Sequence, residues 1–479
     1  MESTSHAFKD NVHEALRDER LQRALGKMKV GFQGNRRRAI ERLPEFEALR
    51  DEGRAIKDHV LEHLDFYLER FESRVVEAGG HVHWCRTAAE ARETIARICR
   101  DAGARTVTKG KSMVAEEIAI NDHLEREGFE PIETDLGEYI IQLRREPPSH
   151  IIAPAVHLSK EDVAEAFYAA HRDLDPERSL VEPTALISEA RAMLRQKFQQ
   201  ADVGITGANF LIAETGSTVI VTNEGNGDLT QTLPRVHVVL ASLEKVVPTL
   251  EDASTILRLL ARSATGQEFS AYTTFSTGPR RPGDPDGPQE FHVVLLDNGR
   301  TAMLGTEFQE MLRCIRCGAC MNHCPVYASV GGHAYGWVYP GPMGAVLTPS
   351  LIGVDAAGHL PNASTFCGRC ESVCPMRIPL PKMMRHWREK EYAAGLTPAT
   401  QRWGLGFWAW FARRPGLYHL GTRLAAGLLG RLGRRQGRLR RLPLAGGWTD
   451  WRDMPAPEGR TFQQLWAERR ESARREDAR

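Results

Sequence analysis

The sequence lacks the local motifs that mark several large enzyme classes. It contains no Gly-x-Gly-x-x-Gly dinucleotide loop, no Walker phosphate loop and no Gly-x-Ser-x-Gly nucleophile turn. It has no apolar run long enough to span a bilayer, and residues 1–9 form no apolar signal core. Its formal net charge is only +1, so no excess of basic residues indicates a nucleic-acid partner.

Length and composition are those of an ordinary soluble chain. The 479 residues suffice for two to four domains, with 42% hydrophobic and 26% charged residues. Because no signal or membrane span is predicted, we expect a cytoplasmic location, where a reducing environment preserves free thiols and metal-bound thiolates.

Cysteine is scarce, yet seven of the nine cysteines fall in two short runs. The first run has the spacing C-x2-C-x2-C-x3-C-P, and the second is a shorter run ending in Cys-Pro. The first spacing is that of a bacterial-type cubane iron–sulfur site. The first run consists of Cys314, Cys317, Cys320 and Cys324, and the second of Cys367, Cys370 and Cys374.

The spacing also predicts which thiols share a cluster. Three thiolates three residues apart on a tight loop can converge on one cubane, and the fourth cysteine ligates the other cluster. The proline after each run fixes the backbone and directs the chain away in an extended conformation. The predicted ligands are Cys314, Cys317, Cys320 and Cys374 for cluster one, and Cys324, Cys367 and Cys370 for cluster two.

Cluster two is therefore one thiol short. If the second run copied the first, a cysteine would stand at position 364, which is serine. This leaves two alternatives: a three-iron cluster, or a four-iron cluster with an open iron site or a ligand other than cysteine. Ser364 and His323 are the candidates for that ligand.

Zinc and disulfides are the alternatives to iron. Zinc sites usually join one C-x2-C pair to a distant pair and need no third thiol at the next step. Disulfides are disfavoured because the chain carries no predicted secretion signal. The spacing therefore predicts iron–sulfur clusters.

Periodicity predicts four regions with an α/β fold at their centre. Apolar residues at helical spacing predict helices over residues 7–77, and alternating strands and helices over 78–305 predict a mainly parallel sheet covered by helices. Arg36–Arg38 is expected to be a solvated basic face, and Cys85 and Cys99 are expected to be core thiols. The predicted domains are 1–77 (helical), 78–305 (α/β), 306–390 (clusters) and 391–479 (an extension rich in aromatics and arginine).

Most elements of the α/β region can be placed from the sequence. Predicted helices are 88–101, 112–127, 160–171, 184–199 and 251–264. Predicted strands or apolar runs are 80–85, 105–108, 151–153, 203–205, 218–222, 236–240, 272–275 and 291–296.

Three polar stretches in this region are candidates for chemistry. Lys109 and Lys111 lie where a strand meets a helix and suit an anion, although a solvated turn with Ser112 as helix cap explains the pattern equally well. Glu214 could line a pocket or sit in a solvated hairpin, and residues 223–228 are expected to form a turn. The acidic run Glu133, Asp135 and Glu138 is ambiguous.

The C-terminal extension places an aromatic stretch, 403–411, near an arginine-rich one, 431–441. Such a pair suits a partner subunit, the chain's own core or a peripheral membrane contact. We favour a partner or self-packing. The aromatic tail that includes Trp448, Trp451 and Trp466 is expected to be ordered to about residue 466.

The whole layout resembles the lactate-utilisation iron–sulfur protein B family. The resemblance covers nearly the full chain and includes the short second cysteine run. Besides the two cysteine runs, it rests on Lys109–Met113, Glu133–Glu138, Gly204–Asn209, Glu214–Ser217 and the insert Gly331–Gly344.

The resemblance implies a fold and a function. It implies a lactate-utilisation domain of CoA-transferase-like α/β fold, followed by a ferredoxin-type domain with two [4Fe–4S] clusters. It implies a role in oxidising L-lactate to pyruvate together with two partner proteins, and the same division of the seven cysteines. A small 2-hydroxy acid is then a candidate substrate.

Two other functions are alternatives. In one, the α/β domain is an enzyme that acts on an acyl or CoA-type substrate, and the clusters are structural. In the other, the chain is a redox-sensing scaffold, which is disfavoured because no nucleic-acid module accompanies the basic stretch.

Overall fold

The computed structural model describes residues 3–442, 445–450 and 452–477. The chain divides into two compact units, Met1–Ala394 and Gly395–Arg479. The first unit contains the parallel sheet, a second sheet and both cysteine runs.

The N-terminal region is helical, as its periodicity predicts. The Asp18 carboxylate accepts hydrogen bonds from the backbone N–H groups of Arg20 and Leu21 and so caps the second helix. One face of these helices buries apolar side chains, among them Leu25, Val60 and Phe71. The helices are α1 (Phe8–Arg17), α2 (Glu19–Glu41), α3 (Phe46–Glu62) and α4 (Leu64–Glu77).

Ten strands follow in the first unit. The central strands are the most apolar, and all seven residues of the seventh strand are buried, as expected for a strand covered on both faces. The strands are β1 (His81–Cys85), β2 (Thr106–Lys109), β3 (Glu130–Glu133), β4 (Val203–Thr206), β5 (Phe210–Ile212), β6 (Ser217–Thr222), β7 (Val236–Ser242), β8 (Val246–Val247), β9 (Tyr272–Ser276) and β10 (Glu290–Leu296).

The strands form two sheets. Six pair in parallel in the order β1-β10-β7-β4-β2-β3, which confirms the predicted parallel sheet. The other four form a mixed sheet, β8-β5-β6-β9, with antiparallel pairs on both sides of β6. The expectation of one sheet is therefore wrong for the predicted strands 218–222 and 272–275, because a hairpin turn after β5 turns the chain back into a separate sheet.

Helices connect the strands of the parallel sheet. The predicted helix 112–127 is two helices, because Ala119 adopts a left-handed conformation with φ of 51°. The predicted apolar run 151–153 forms no strand and lies in the loop after α8. The helices are α5 (Ala88–Asp101), α6 (Met113–Glu117), α7 (Ile120–Arg126), α8 (Leu136–Arg144), α9 (Lys160–Ala170), α10 (Pro183–Gln200), α11 (Asn226–Thr232) and α12 (Leu250–Ala264).

The region of the cysteine runs is built from short helices. Each run enters one of them through a left-handed glycine, Gly318 with φ of 71° and Gly368 with φ of 76°, a conformation that other residues rarely adopt. The helices are α13 (Ala319–Asn322), α14 (Tyr327–Val330), α15 (Gly341–Ile352), α16 (Val354–Ala357), α17 (Arg369–Ser372) and α18 (Leu380–Ala393).

The second unit is mainly helical. Within α19, none of the residues is buried, and the aromatic side chains of Trp403 and Phe407 are 81% and 71% exposed. Trp451 lies outside the described residues. In the part of the chain that the structure describes, no helix combines the length and apolarity that crossing a membrane requires. The elements are α19 (Ala399–Ala412), α20 (Pro415–Gly433), β11 (Arg438–Leu439), α21 (Gly446–Thr449), β12 (Met454–Pro455) and α22 (Phe462–Asp477).

Candidate functional site

The cysteines surround two separate cavities. The first is lined by three cysteines of the first run and by the last cysteine of the second run. Apolar side chains, including Ile151, Met343 and Leu380, complete its wall. The cysteines that line this first cysteine cavity are Cys314, Cys317, Cys320 and Cys374.

The second cysteine cavity is lined by Cys324, Cys367 and Cys370, together with Ser364. The Ser364 hydroxyl accepts a hydrogen bond from the backbone N–H of Phe366 at 3.2 Å. His323 does not line this cavity: its Nδ1 atom lies 2.9 Å from the carbonyl oxygen of Ala319, and burial lowers its pKa to about 4. Of the two candidates for a fourth ligand, the structure brings only Ser364 to the cavity.

The sulfur atoms suit a metal rather than free thiols. None of the seven cysteines forms a disulfide. Burial raises the pKa of Cys317 and Cys370 to about 12 and that of Cys374 to about 11, so that these thiols would not ionise unaided near neutral pH. A coordinating metal deprotonates such thiols outright. Four sulfurs around one cavity and three around the other therefore fit an iron–sulfur donor set.

Two arginines from the N-terminal helices hold the loop that carries Cys374. The Arg50 guanidinium donates hydrogen bonds to the carbonyl oxygens of Cys374, at 2.7 and 3.1 Å, and Ser372, at 2.9 Å. The Arg36 guanidinium donates one to the carbonyl oxygen of Val373 at 2.9 Å. The prediction of a solvated face is wrong for Arg36, which is 9% exposed, because its side chain turns inward onto this loop.

A third cavity, of about 250 Å3, lies beside the parallel sheet. Its wall includes residues that follow β2 and β4 of the parallel sheet, so it lies at the carboxyl ends of parallel strands, where α/β folds usually bind ligands. Residues of β6 and of the turn after it, from the mixed sheet, also line the cavity. Ile151 and Arg316 line both this cavity and the first cysteine cavity. Its charged lining residues are Lys111, Asp135, Glu224, Lys245 and Arg316.

Lys245 is the least compensated of these charges. It follows β7, is 7% exposed, and makes no hydrogen bond or ion pair with any residue that the structure describes. Burial, assisted by nearby Arg316 and opposed by Glu244, lowers the pKa of Lys245 to about 8. Arg316 binds Glu244 at 3.1 Å, but its Nη1 atom is buried without a partner.

A chain of buried charges links the cysteine loop to the sheet. The Glu244 carboxylate lies between Arg316 and Arg300, with the Arg300 Nε atom 3.0 Å from its oxygen. Arg300 also binds both oxygens of Glu117, at 2.7 and 3.0 Å, and the Tyr339 hydroxyl donates to Glu117 at 2.6 Å. The sequence alone does not indicate this network, since its members come from segments far apart in the chain.

The polar stretches singled out in the sequence are dispersed. Lys109 is fully buried, and its ammonium binds Glu133 at 2.8 Å and Glu116 at 2.9 Å, so it does not line the third cavity. Burial raises the pKa of Glu138, whose carboxylate also lies near Lys109.

Lys111 does line the third cavity, where its ammonium donates to the carbonyl oxygen of Ile152. Ser112 caps α6, as one interpretation of the loop predicts. Asp135 lines the cavity and caps α8. Residues 223–225 turn after β6, and the predicted turn ends there because α11 begins at Asn226.

Glu214 lies outside the third cavity. It sits in the hairpin turn between β5 and β6, where it is exposed and accepts a hydrogen bond from the backbone N–H of Leu250 at 3.2 Å. This is the solvated hairpin position that was one of the two expectations for Glu214.

The fold and the site define a class: an α/β domain joined to a helical domain whose cysteines line two cavities. Family models agree with this division. A LUD domain model matches residues 68–296, a 4Fe-4S dicluster domain model matches 310–378, and a model for the C-terminal region of lactate utilisation protein B matches 375–471.

Curated relatives match over nearly the full length. Proteins named lactate utilization protein B are 41% identical in Bacillus licheniformis, covering 98% of both chains, and 41% identical in Bacillus subtilis, covering 99% of this chain and 98% of the relative. The relative from Geobacillus thermodenitrificans is 42% identical, covering 96% of this chain and 97% of its own. The chain therefore belongs to the lactate utilization protein B family, and it carries an iron–sulfur domain of the dicluster type.

A solved structure of a DUF162 family protein from Deinococcus radiodurans covers 49% of this chain and 98% of its own. Its TM-score is 0.28 at 16% identity, which is too low to support an argument about the fold.

Proposed function

We propose that the protein is the iron–sulfur electron-transfer component of a multi-subunit system that oxidises L-lactate to pyruvate. The observation that carries this proposal is the crosswise arrangement of the cysteines, in which Cys374 from the second run joins the first run at one cavity. Membership of the lactate utilization protein B family supports lactate as the substrate of the system.

The chain's own residues would hold two clusters. Cys314, Cys317, Cys320 and Cys374 would hold the first, and Cys324, Cys367 and Cys370 would hold the second with Ser364 nearby. When bound, such clusters accept and release electrons one at a time. Oxidising lactate to pyruvate releases two electrons and two protons, so two neighbouring one-electron sites match the stoichiometry.

The surroundings of the first cavity suit an anionic group. Arg36 and Arg50 bind the Cys374 loop from one side, while Arg316 lies between two of the cysteines in the sequence. Buried positive charge stabilises thiolates and raises the reduction potential of the group that they hold. Apolar side chains around the cysteines exclude water, which strengthens these interactions.

Anaerobic purification tests the proposal directly. We expect a brown protein with about seven or eight irons per chain, the content of one four-iron cluster and a three- or four-iron cluster, whose visible absorption bleaches on reduction with dithionite. Deleting the gene should also prevent growth on L-lactate. A colourless preparation loaded with zinc after anaerobic handling would contradict the proposal.

Partner subunits belong to the same proposal. Electrons must reach and leave the clusters, and two further lactate-utilisation subunits are the proposed partners. The exposed aromatic side chains of α19, including Trp403 and Phe407, offer a docking surface of the composition that interfaces favour. A peripheral membrane contact is the alternative use of that surface.

An enzyme acting on an acyl or CoA-type substrate is the second candidate function. The cavity of about 250 Å3 favours it, because Lys111 and Glu224 line that cavity and desolvation raises the pKa of Glu224. We also propose a CoA-transferase-like fold for the α/β domain, which the family resemblance implies whichever of the two functions holds. Turnover of an acyl thioester by protein stripped of iron would support it over electron transfer.

Replacing Ser364 with cysteine should complete the ligand set of the second cluster. Ser364 lines the second cavity beside three cysteines, so a thiol there can supply the missing sulfur ligand. We expect Ser364→Cys to keep four irons in the second cluster after mild oxidation and to change its electron paramagnetic resonance spectrum. The spectrum of the first cluster should not change.

Ser372→Cys is the matched control, since Ser372 belongs to the second run but does not line the second cavity. It should leave both spectra as in the wild type. Identical spectra for Ser364→Cys and wild type would show that residue 364 does not reach the cluster.

A further inference from the structure

The proposed function leaves the cavity of about 250 Å3 unassigned. Its wall contains polar atoms that are buried without partners, which usually cost free energy and therefore mark a place for a ligand or water. They fall into two chemical kinds, cationic donors and neutral acceptors.

The cationic donors belong to Lys245 and Arg316. Lys245 is more than nine-tenths buried and its ammonium has no partner among the described residues, and the Arg316 Nη1 atom is likewise unpartnered. A lysine buried this far without an ion-pair partner is costly, and an anion at the cavity wall would reduce that cost.

The neutral acceptors belong to Asn226 and Thr222. The Oδ1 atom of Asn226, a residue that is 7% exposed, is buried without a partner, and so is the Oγ1 atom of Thr222. Both residues line the cavity. The amide oxygen only accepts and the hydroxyl can also accept, so a hydroxyl donor on the ligand would satisfy either atom.

The net charge of the lining residues indicates the charge of the ligand. Three cations, Lys111, Lys245 and Arg316, face two carboxylates, Asp135 and Glu224, which gives a formal net charge of +1. This balance suits a ligand with a single negative charge, whereas the two carboxylates would repel a polyphosphate.

We propose that this cavity binds a small 2-hydroxy carboxylate, with its carboxylate against Lys245 and Arg316 and its hydroxyl donated to Asn226. This inference rests on the proposed function and adds to it the place where the substrate binds. Because Ile151 and Arg316 line both this cavity and the first cysteine cavity, the ligand would lie one layer of side chains from the first cluster.

Binding of L-lactate to the anaerobically purified full-length protein tests the site. We expect saturable binding of L-lactate by calorimetry, binding of propionate that is at least about tenfold weaker because it lacks the hydroxyl, and none of propane-1,2-diol. L-Lactate should also alter the electron paramagnetic resonance spectrum of the first cluster in dithionite-reduced protein.

Two variants test which residues contact the carboxylate and the hydroxyl of the ligand. Lys245→Met should weaken L-lactate binding about 10- to 100-fold, since a charge-assisted hydrogen bond is lost. Its thermal unfolding midpoint should match or exceed that of the wild type, because the change removes a buried, unpaired charge. Asn226→Ala should weaken the binding of L-lactate but not that of propionate.

Lys197→Met is the matched control, because Lys197 is partly exposed, pairs with Glu130 at 2.7 Å and does not line the cavity. It should bind L-lactate as the wild type does. If Lys245→Met also binds L-lactate like the wild type and only shifts the cluster spectrum, Lys245 balances the cluster's charge and the proposal fails.

The two proposals can fail separately. Protein that holds its iron and bleaches with dithionite, yet binds no L-lactate, would overturn the site and leave the electron-transfer function standing. Protein that binds L-lactate but purifies without iron would overturn the electron-transfer function and leave the site supported.

Discussion

Replacing Cys374 with serine is expected to abolish the first cluster and leave the second in place. Cys374 belongs to the second run in the sequence, but it lines the cavity of Cys314, Cys317 and Cys320. Serine is a much poorer iron ligand than a thiolate. The iron content should fall by about half, and the electron paramagnetic resonance signal of one cluster should disappear.

The reciprocal variant makes this test specific to the crosswise arrangement. Cys324→Ser changes the first run but should abolish the other signal, because Cys324 lines the second cavity. Cys99→Ser is the control, since Cys99 is a buried core thiol of α5 that lines neither cysteine cavity. Loss of the same signal in Cys374→Ser and Cys324→Ser would contradict the arrangement.

The parallel sheet could be predicted because its strands have a strong local signal. The runs around Val203–Thr206, Val236–Ser242 and Glu290–Leu296 are apolar, short and separated by helices, a pattern typical of strands buried on both faces. The alternation of strands and helices then predicts parallel pairing.

The second sheet could not be predicted, because a local signal marks a strand but does not show which strand it pairs with. Pairing between strands depends on long-range contacts, and the apolar runs at Ser217–Thr222 and Tyr272–Ser276 look like those of the first sheet. Ile151 and Ile152 were predicted to belong to an apolar run of the sheet, but they lie in a loop. Their apolar side chains line cavities there instead of packing within a sheet. Burial alone does not distinguish these cases.

The candidate site also contains a part with a local sequence signal and a part that only the fold brings together. Cysteine spacing is a local property of the chain, so the two ligand groups could be predicted from the sequence alone. The third cavity could be predicted only in part: Lys111 was a candidate for binding an anion, but Lys245 comes from a separate segment and looks like an ordinary surface residue in the sequence. A lysine or arginine signals a site only once its burial and missing partner are known.

Replacing Arg300 with methionine is expected to cause a large loss of stability in the first unit. Arg300 is 1% exposed and binds Glu117 and Glu244, whose side chains are 0% and 1% exposed. The variant leaves two buried carboxylates with fewer counter-charges, and breaking a buried ion pair in this way costs about 3–5 kcal/mol. Chemical unfolding of the anaerobic protein would measure this loss.

The pH dependence of this loss of stability should show whether the buried carboxylates cause it. Although burial opposes it, Arg300 and Arg316 hold the pKa of Glu244 at about 2 in the wild type, so the stabilisation by this group is complete above about 4.5 and is lost only as pH falls towards 2. In Arg300→Met the pKa of Glu244 should rise, because one of its two arginine partners is gone. The variant should therefore recover part of its lost stability relative to the wild type as pH falls from 8 to 5.5, because protonation removes the poorly compensated charge of Glu244.

Lys197→Met removes a partly exposed ion pair and should cost no more than about 1 kcal/mol at any pH in this range. If Arg300→Met matches that small loss, or if its loss is the same at pH 8 and pH 5.5, the network does not carry the charges assigned to it.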